Sequence, residues 1–324
     1  MEYIFTREKF DSLAEEWNML QEESPGSIIF TSPEWAGTWW KYFGSDYSLY
    51  LGSVRDRGRL IGVAPLAVNG ATAFFTGGAD VCDYLDFTVR AGYEDTFCTF
   101  LLEKLKADGI KRLDLGTVRP DSIVFTYLMP LAQKRGFAAG YQQEDVTVYL
   151  ELPSSWERYL EELSSKQRHE LKRKFRRLKE MGTVTQSVVT GPSADAVETF
   201  FRLFTECRED KAQFLTPERE RFLRDLMAAM AKAGRLRITI MELDRSPVAV
   251  TLCFDYKEEV LLYNSGFDPE YRWLSAGLIS KALVIENSIA RHMNCFNFLK
   301  GDEQYKYRLG GTHMPLYRCT LEMG

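Results

Sequence analysis

At 324 residues, with 45% hydrophobic and 27% charged side chains, the chain has material for two cores and the balance of an ordinary globular protein. Its net charge of −5 gives no overall attraction to nucleic acid or to an anionic membrane, so any basic site must be local. No stretch approaches the ~18 apolar residues of a membrane-spanning helix, and the opening MEYIFTREKFDSLAEEW lacks a signal-peptide core, so a cytoplasmic protein without a transmembrane segment is expected.

Strand and helix signals alternate throughout, which predicts an α/β or α+β fold. Residues 8–22 read as a helix, and 33–43 as another, opened by Ser32 as N-cap with Pro33 in the first turn. Two apolar, strand-like runs, YSLYLGSVR and RLIGVAPLAV, meet at Asp56-Arg57-Gly58, a hairpin signal. A third strand, ATAFFTGG, follows; then come an amphipathic helix over 94–107 and the short strand IKRLDLG.

Residues 151–182 differ in character. SWERYLEEL reads as a short helix, and Ser164 with Gln167 has capping-box spacing for a longer one. Residues 166–179 hold eight Lys or Arg against one Glu, with Leu171, Phe175 and Leu178 on a narrow apolar stripe. Such a helix is either a solvated connector face or a wall for phosphate, with Arg173 and Arg177 among its cations.

The second half repeats the order of the first. RLRITIMEL and PVAVTLCFDY meet at Asp244-Arg245-Ser246; EEVLLYNSGF, a helix over 276–291, NCFNFLKG and HMPLYRCTLEM follow. At an offset of about 186 residues RLIGVAPL faces SPVAVTLC and IKRLDLG faces NCFNFLKG. Two duplicated units are therefore expected, 1–150 and 183–324, joined by the basic helical connector 151–182.

The six cysteines are scattered without a Cys-x-x-Cys pair, as in a protein with reduced thiols, and the three histidines are far apart, so no metal site is expected. The stretch richest in chemistry is 260–308. There a strand leads through Arg272 into the small-residue helix start Ser275-Ala276-Gly277, where free N–H groups and the helix dipole suit an anion.

The runs YNSGFDPEYRWLSAGLISKALVIENS and FNFLKGDEQYKYRLG resemble the C-terminal half of the GNAT-like acyltransferases of the FemAB and CelD-type (cellulose-biosynthesis-associated) group. FLKGDEQYK, residues 298–306, fits that group's motif at nearly every position; FTSPEWAGTWWKYFG resembles its N-terminal signature. Ala276 stands where the group usually has proline, and Leu309 where many members have tryptophan.

The resemblance implies tandem GNAT-like domains, each a mixed, mostly antiparallel sheet flanked by helices. It places an acyl-CoA, such as acetyl-CoA, on the second unit. The pantetheine arm would run beside Tyr263, Asn264 and Ser265, and the pyrophosphate would sit at Arg272, Ser275, Ala276, Gly277 and Leu278. Acyl transfer needs a base, a proton donor to the thiolate and support for the oxyanion. Asp302 or Glu303 is the candidate base, Tyr305 or Tyr307 the acid, and Lys306 or Lys300 a phosphate or charge stabiliser. The first unit lacks an equivalent helix start and is expected to serve the acceptor, with Asp80, Asp83 and Tyr84 just after its third strand.

The leading expectation is an acyltransferase acting on a small or sugar-linked acceptor in cell-envelope or polysaccharide synthesis. Two alternatives stand beside it. One is FemAB-type aminoacyl transfer from charged tRNA to a peptidoglycan precursor, with Arg173, Arg176 and Arg177 touching RNA; the other is a non-catalytic GNAT-like binding protein.

Overall fold

A computed structural model describes residues 3–78 and 81–324. They form two compact units: the first runs to Val146 and takes in Met314–Gly324, and the second is Thr147–His313.

In the first unit strand β1 (Tyr3–Arg7) is followed by helices α1 (Phe10–Glu23) and α2 (Pro33–Phe43). Ser32 caps α2 through its side chain, accepting from Trp35 N at 3.3 Å. Strands β2 (Ser48–Asp56), β3 (Arg59–Asn69), β4 (Thr72–Phe75) and β5 (Thr88–Val89) lead to α3 (Glu94–Ala107) and β6 (Arg112–Val118). The β2–β3 turn places Arg57 and Gly58 at φ of 49° and 83°, the left-handed pair that a tight hairpin matched to strand twist requires. A π-helical turn (Val124–Leu128), α4 (Met129–Lys134) and β7 (Ala138–Glu151) complete the run. β1, β2, β3 and β4 pair antiparallel in that order, β4 pairs parallel with β6, and β6 pairs antiparallel with the C-terminal strand Thr312–Glu322. Leu13, Trp17, Leu20 and Ala36 pack on Leu51, Leu60 and Val63 to cover one face of this sheet.

Asp86 is buried in this unit and holds the start of the π-helical turn. Its carboxylate accepts from the backbone N–H groups of Phe87 (2.8 Å), Ile123 (2.8 Å) and Val124 (3.2 Å). Burial pushes its pKa up to about 7 against those three hydrogen bonds and the nearby Arg119.

The second unit begins with α5 (Trp156–Glu162) and α6 (Ser165–Met181), then β8 (Val184–Val189) and helices α7 (Ala194–Glu206), α8 (Glu209–Phe214) and α9 (Pro217–Lys232). β9 (Leu236–Leu243), β10 (Ser246–Tyr256), β11 (Glu259–Phe267), α10 (Ala276–Ala290), β12 (Cys295–Lys300) and α11 (Gln304–Arg308) follow. β8, β9, β10 and β11 pair antiparallel, β11 pairs parallel with β12, and β12 pairs antiparallel with residues 147–151 of β7. The sequence of pairings is that of the first unit, and the β9–β10 turn again carries two left-handed residues, Asp244 (49°) and Arg245 (70°).

Two boundaries differ from the expected 1–150, 151–182 and 183–324. The last strand, assigned from sequence to the second half, pairs with β6 through Tyr317↔Val118 to Glu322↔Arg112 and belongs to the first unit. The segment 151–182 is part of the second unit, because Tyr159, Leu163 and Leu171 share a buried core with Val260, Ile285 and Phe296. The Tyr159 hydroxyl donates to Leu309 O at 3.0 Å, and the predicted Ser164–Gln167 capping box is present at the start of α6. No helix among the described residues is long and apolar enough to cross a membrane.

Candidate active site

The ladder between β11 and β12 is short. These parallel strands pair at Glu259↔Cys295, Val260↔Phe296 and Leu261↔Asn297. Just beyond, each strand carries an extra residue against its other neighbour: Tyr263 on β11, opposite Leu252/Cys253, and Phe298 on β12, next to a Leu299 held at φ 63°. Bulges sharpen local twist, so the strands part, leaving the backbone of 262–267 without a β12 partner. Asn264 and Ser265 lie on this stretch; the Tyr263 ring turns to Phe254, 5.4 Å between centroids. Gly266 lets the α7 backbone reach the strand, since a Cβ there would stand 2.4 Å from Leu203 C and O.

Downstream of β11 a 3-10 turn (Pro269–Leu274) runs into Ser275, left-handed at φ 61°, and then α10. The first helical bonds run from Leu278 N and Ile279 N to Ser275 O, each 3.0 Å. The N–H groups of Ala276 and Gly277 precede them and have no helical acceptor, the usual state of a helix start. Gly277 is small for a packing reason: a Cβ there would lie 2.8 Å from the Phe267 ring. The expected counter-charge, Arg272, instead reaches the Cys207 carbonyl at 3.5 Å and sits over Phe267. Lys174 of α6 lies beside the helix start, donating from Nζ to Ser275 Oγ at 2.6 Å.

A cavity of about 770 Å³ opens beside this helix start, lined by Lys166, His169, Arg173, Lys174, Leu278 and Arg308 among others. Glu170 lies among these cations, and hydrogen bonds from Arg173 and Lys174 hold its carboxyl down at about 2. Arg173 is thus committed to Glu170 at 2.9 and 3.0 Å, while Arg177 stacks on the half-exposed Trp273 at 4.7 Å.

The FLKGDEQYK turn is built around Lys306. Its buried Nζ donates to Leu299 O (2.9 Å), Lys300 O (2.6 Å) and Gly301 O (3.0 Å) and pairs with Glu303 at 2.9 Å. The three N–H groups are spent on the turn, so Lys306, expected to stabilise reacting charge, is structural. Glu303 shares that commitment. Asp302 is exposed and accepts from the Tyr307 hydroxyl, whose pKa is pushed up to about 12 by that bond. Tyr305 meets Phe298 edge-on at 6.3 Å.

Residues 165–307 match the family model described as an acetyltransferase (GNAT) domain. That stretch, fewer than half of the residues of the chain, is similar to a GNAT acetyltransferase domain. Among solved structures the chain is similar to FemX, at 12% identity over 98% of this chain and 97% of that one, with a TM-score of 0.69. It is also similar to the C-terminal domain of a putative lysylphosphatidylglycerol synthetase from Agrobacterium fabrum (11% identity, 98% and 93% covered, TM-score 0.61). A tandem GNAT protein from the clavulanic acid biosynthesis pathway matches at 14% identity over 100% and 99% of the two chains, with a TM-score of 0.53. These likenesses speak for the fold, a tandem GNAT-like arrangement of mixed sheets flanked by helices. No curated protein matches the chain in sequence.

Two lysines within the matched residues escaped the sequence reading. Lys281, on the inner face of α10, is only 7% exposed; its Nζ donates to Gly277 O at 2.8 Å and lies 5.0 Å from the centre of the Tyr305 ring. Burial, then the nearby Lys211 ammonium, pushes its pKa down to about 7. Lys211, on α8, donates to Ser265 O on the unpaired part of β11 and lies 4.8 Å from the Phe204 ring; burial lowers its pKa also. The apolar company of Lys281 in SAGLISKALVIE was the available signal.

In the first unit the described members of the expected acceptor set, Asp83 and Tyr84, are largely enclosed. Tyr84 is fully buried, edge-on to Phe30 at 5.1 Å with Arg119 over its ring, so it has no open face to offer a substrate. Asp83 is half-buried beside it, and Asp80 lies outside the described residues. A cavity of about 160 Å³ adjoins this segment, lined by Gly77, Gly78 and Leu85 and by Phe74, Asp114, Glu144 and Arg318 among others. Arg318 joins the two carboxylates, at 2.7 Å to Asp114 and 3.2 Å to Glu144.

Proposed function

We propose that the chain moves an acyl group, acetyl in the simplest case, from a CoA thioester to an amine or hydroxyl on a small or sugar-linked acceptor. The observation that carries this reading is the parting of β11 and β12 after Leu261 and Asn297. A strand edge with free backbone groups can hold the amides of a pantetheine arm by strand-like hydrogen bonds. The α10 start, with Lys174 beside it, then receives the pyrophosphate. The GNAT domain match and the FLKGDEQYK motif of the FemAB and CelD-type group support a thioester donor, and that group points to cell-envelope or polysaccharide precursors as acceptors. On the acceptor side, the aromatic and carboxylate walls of the first unit's cavity suit sugar hydroxyls better than Asp83 and Tyr84 do. The site of reaction is cytoplasmic in this reading, where acyl-CoA is made.

Titration calorimetry with CoA and acetyl-CoA tests the proposal directly. Binding that weakens when Lys174 is changed to Ala supports it; no heat and no thermal stabilisation with either ligand removes it. A second reading, transfer from a charged tRNA, rests on the exposed cations of α6, with Arg173 and Arg176 side chains 52% and 74% exposed. It predicts tRNA binding that falls steeply with salt and is lost when Arg173, Arg176 and Arg177 become Ala.

A further inference from the structure

The cavity of about 770 Å³ beside α6 is larger than one pyrophosphate needs. Its walls hold Lys166, His169, Arg173 and Lys174 from α6 and Arg308 from α11, against one carboxylate among the described residues, Glu170. Lys166, Glu170, Arg173 and Lys174 fall on one face of α6. At ~1.5 Å of rise per residue, Lys166 stands about 12 Å from Lys174 along the helix axis. The cavity therefore has two ends, and they differ in how their cations are used.

At the α10 end the cations are already engaged. Arg173 pairs with Glu170 at 2.9 Å, and Lys174 meets the same carboxylate at 3.2 Å while donating to Ser275 Oγ. At the other end they are not. Gln167 Nε2 donates to Tyr307 O at 2.8 Å, which holds the close of α11 against the first turn of α6. That contact brings Arg308, the next residue, to the end that carries Lys166 and His169. The His169 ring is fixed by Nδ1, which donates to Ser165 O at 2.6 Å. Among the described residues neither Lys166 nor Arg308 has a side-chain hydrogen bond or an ion pair. Cations converging on a concave wall repel each other, and an anion between them removes that cost. A guanidinium fork with an ammonium beside it matches a phosphate monoester, which offers several oxygens and close to two charges.

We propose that the α6–α11 end of this cavity binds a phosphate monoester, the ribose 3′-phosphate of CoA. The inference rests on the acyl-CoA reading. With the pyrophosphate at the α10 start, the 3′-phosphate is the remaining charged group of the donor, and it lies one ribose away, further along α6. Lys166 and Arg308 are then specificity residues: they touch no reacting atom but let the site tell CoA from a donor without that phosphate. Glu170 stands between the two positions, and its charge keeps a phosphate from settling midway.

Titration calorimetry of the whole protein with CoA and with 3′-dephospho-CoA tests the assignment. The wild type should bind CoA roughly tenfold or more tightly than dephospho-CoA, the scale of charge-assisted hydrogen bonds. Lys166→Ala and Arg308→Ala should each narrow that gap and together close it by weakening CoA alone. Unchanged binding of dephospho-CoA then shows that the variants fold and keep the pyrophosphate position. If the wild type binds both ligands equally, or the gap survives in the double variant, the 3′-phosphate is not held here and the proposal is overturned. A double variant that weakens both ligands alike overturns it too, since those cations would then serve the pyrophosphate. If the wild type binds neither ligand, the donor reading itself falls and takes this inference with it.

Discussion

Lys174 and Ser275 stand 101 residues apart in sequence, yet their side chains meet at 2.6 Å, fastening the middle of the basic helix to the N-cap position of α10. The cation that a phosphate at this helix start would meet is thus already in place and oriented. Lys174→Ala is expected to weaken CoA binding about tenfold or more, the scale of one charged hydrogen bond, with little effect on unfolding. Glu170→Gln releases Arg173 and Lys174 from their carboxylate and should tighten CoA and steepen the salt dependence. Calorimetric titrations at two salt concentrations check both.

Lys306 should behave differently, as a residue of stability. Lys306→Met leaves three carbonyls of the 299–301 turn without their donor, and Glu303 without its partner. A loss of about 3–5 kcal/mol in denaturant unfolding is expected, as for a broken buried pair. Lys306→Arg should not restore it, since a planar fork cannot reach three carbonyls arranged around one ammonium. Unfolding near wild-type for either variant would contradict the structure.

The glycines of the site should rank by what surrounds them. At Gly266 a methyl would press on the α7 backbone at Leu203 and Phe204, which cannot yield without moving the helix. At Gly277 it would press on a Phe267 ring carbon, which can turn. Gly266→Ala is therefore expected to cost about 3 kcal/mol or more and Gly277→Ala about 1–2 kcal/mol, within the range for overpacked sites. Thermal unfolding of the two variants in parallel gives the order.

Lys281 ties stability to alkaline pH. Its folded pKa, about 7, lies below its ordinary value of 10.5, so the unfolded chain binds the extra proton between the two. Stability should rise with pH across that window, and the penalty for charging Lys281 is complete below pH 7. Lys281→Met should thus be the more stable protein at pH 6, by about 1–4 kcal/mol, with the gap closing as pH rises. Urea midpoints from pH 6 to 9 would show a constant gap if Lys281 were ordinary.

Asp86 imposes the opposite slope in the first unit. Its folded pKa, about 7, is above the ordinary 3.8, so the stability it allows is full below pH 4 and declines as pH rises through 7. Asp86→Asn should flatten that decline. It should also cost about 1–3 kcal/mol, because an amide presents fewer acceptors to the N–H groups of Phe87, Ile123 and Val124.

What the sequence showed was mostly local. The Ser32-Pro33 helix start, the Ser164–Gln167 box and the two hairpin turns each depend on a few adjacent residues and appear where the pattern put them. The duplicated order of elements was also legible, because each unit repeats one series of short periodic segments. The pairing of Thr312–Glu322 with β6 was not, since partners some 200 residues apart leave no local trace. Nor was the division of labour among charged residues. A Lys in a helix normally faces water; only the apolar company of Lys281 hinted otherwise, and nothing in spacing separated the buried Lys306 from the exposed cations of α6. That Lys174 and not Arg272 reaches Ser275 was hidden for the same reason: which long side chain gets there is decided by tertiary placement.

The return of the last strand to the first unit sets an order of events during synthesis. The second unit, Thr147–His313, is contiguous and has all its residues once the ribosome has passed His313. The first has most of its strands early but lacks the partner of β6 until residue 322 emerges. Domains generally fold as units when their chain is available, so here the unit translated first is the one completed last. Until then its β6 edge is unpaired, an invitation to wrong partners, and a nonsense mutation near residue 312 would disable the amino-terminal half of the molecule while sparing the second unit.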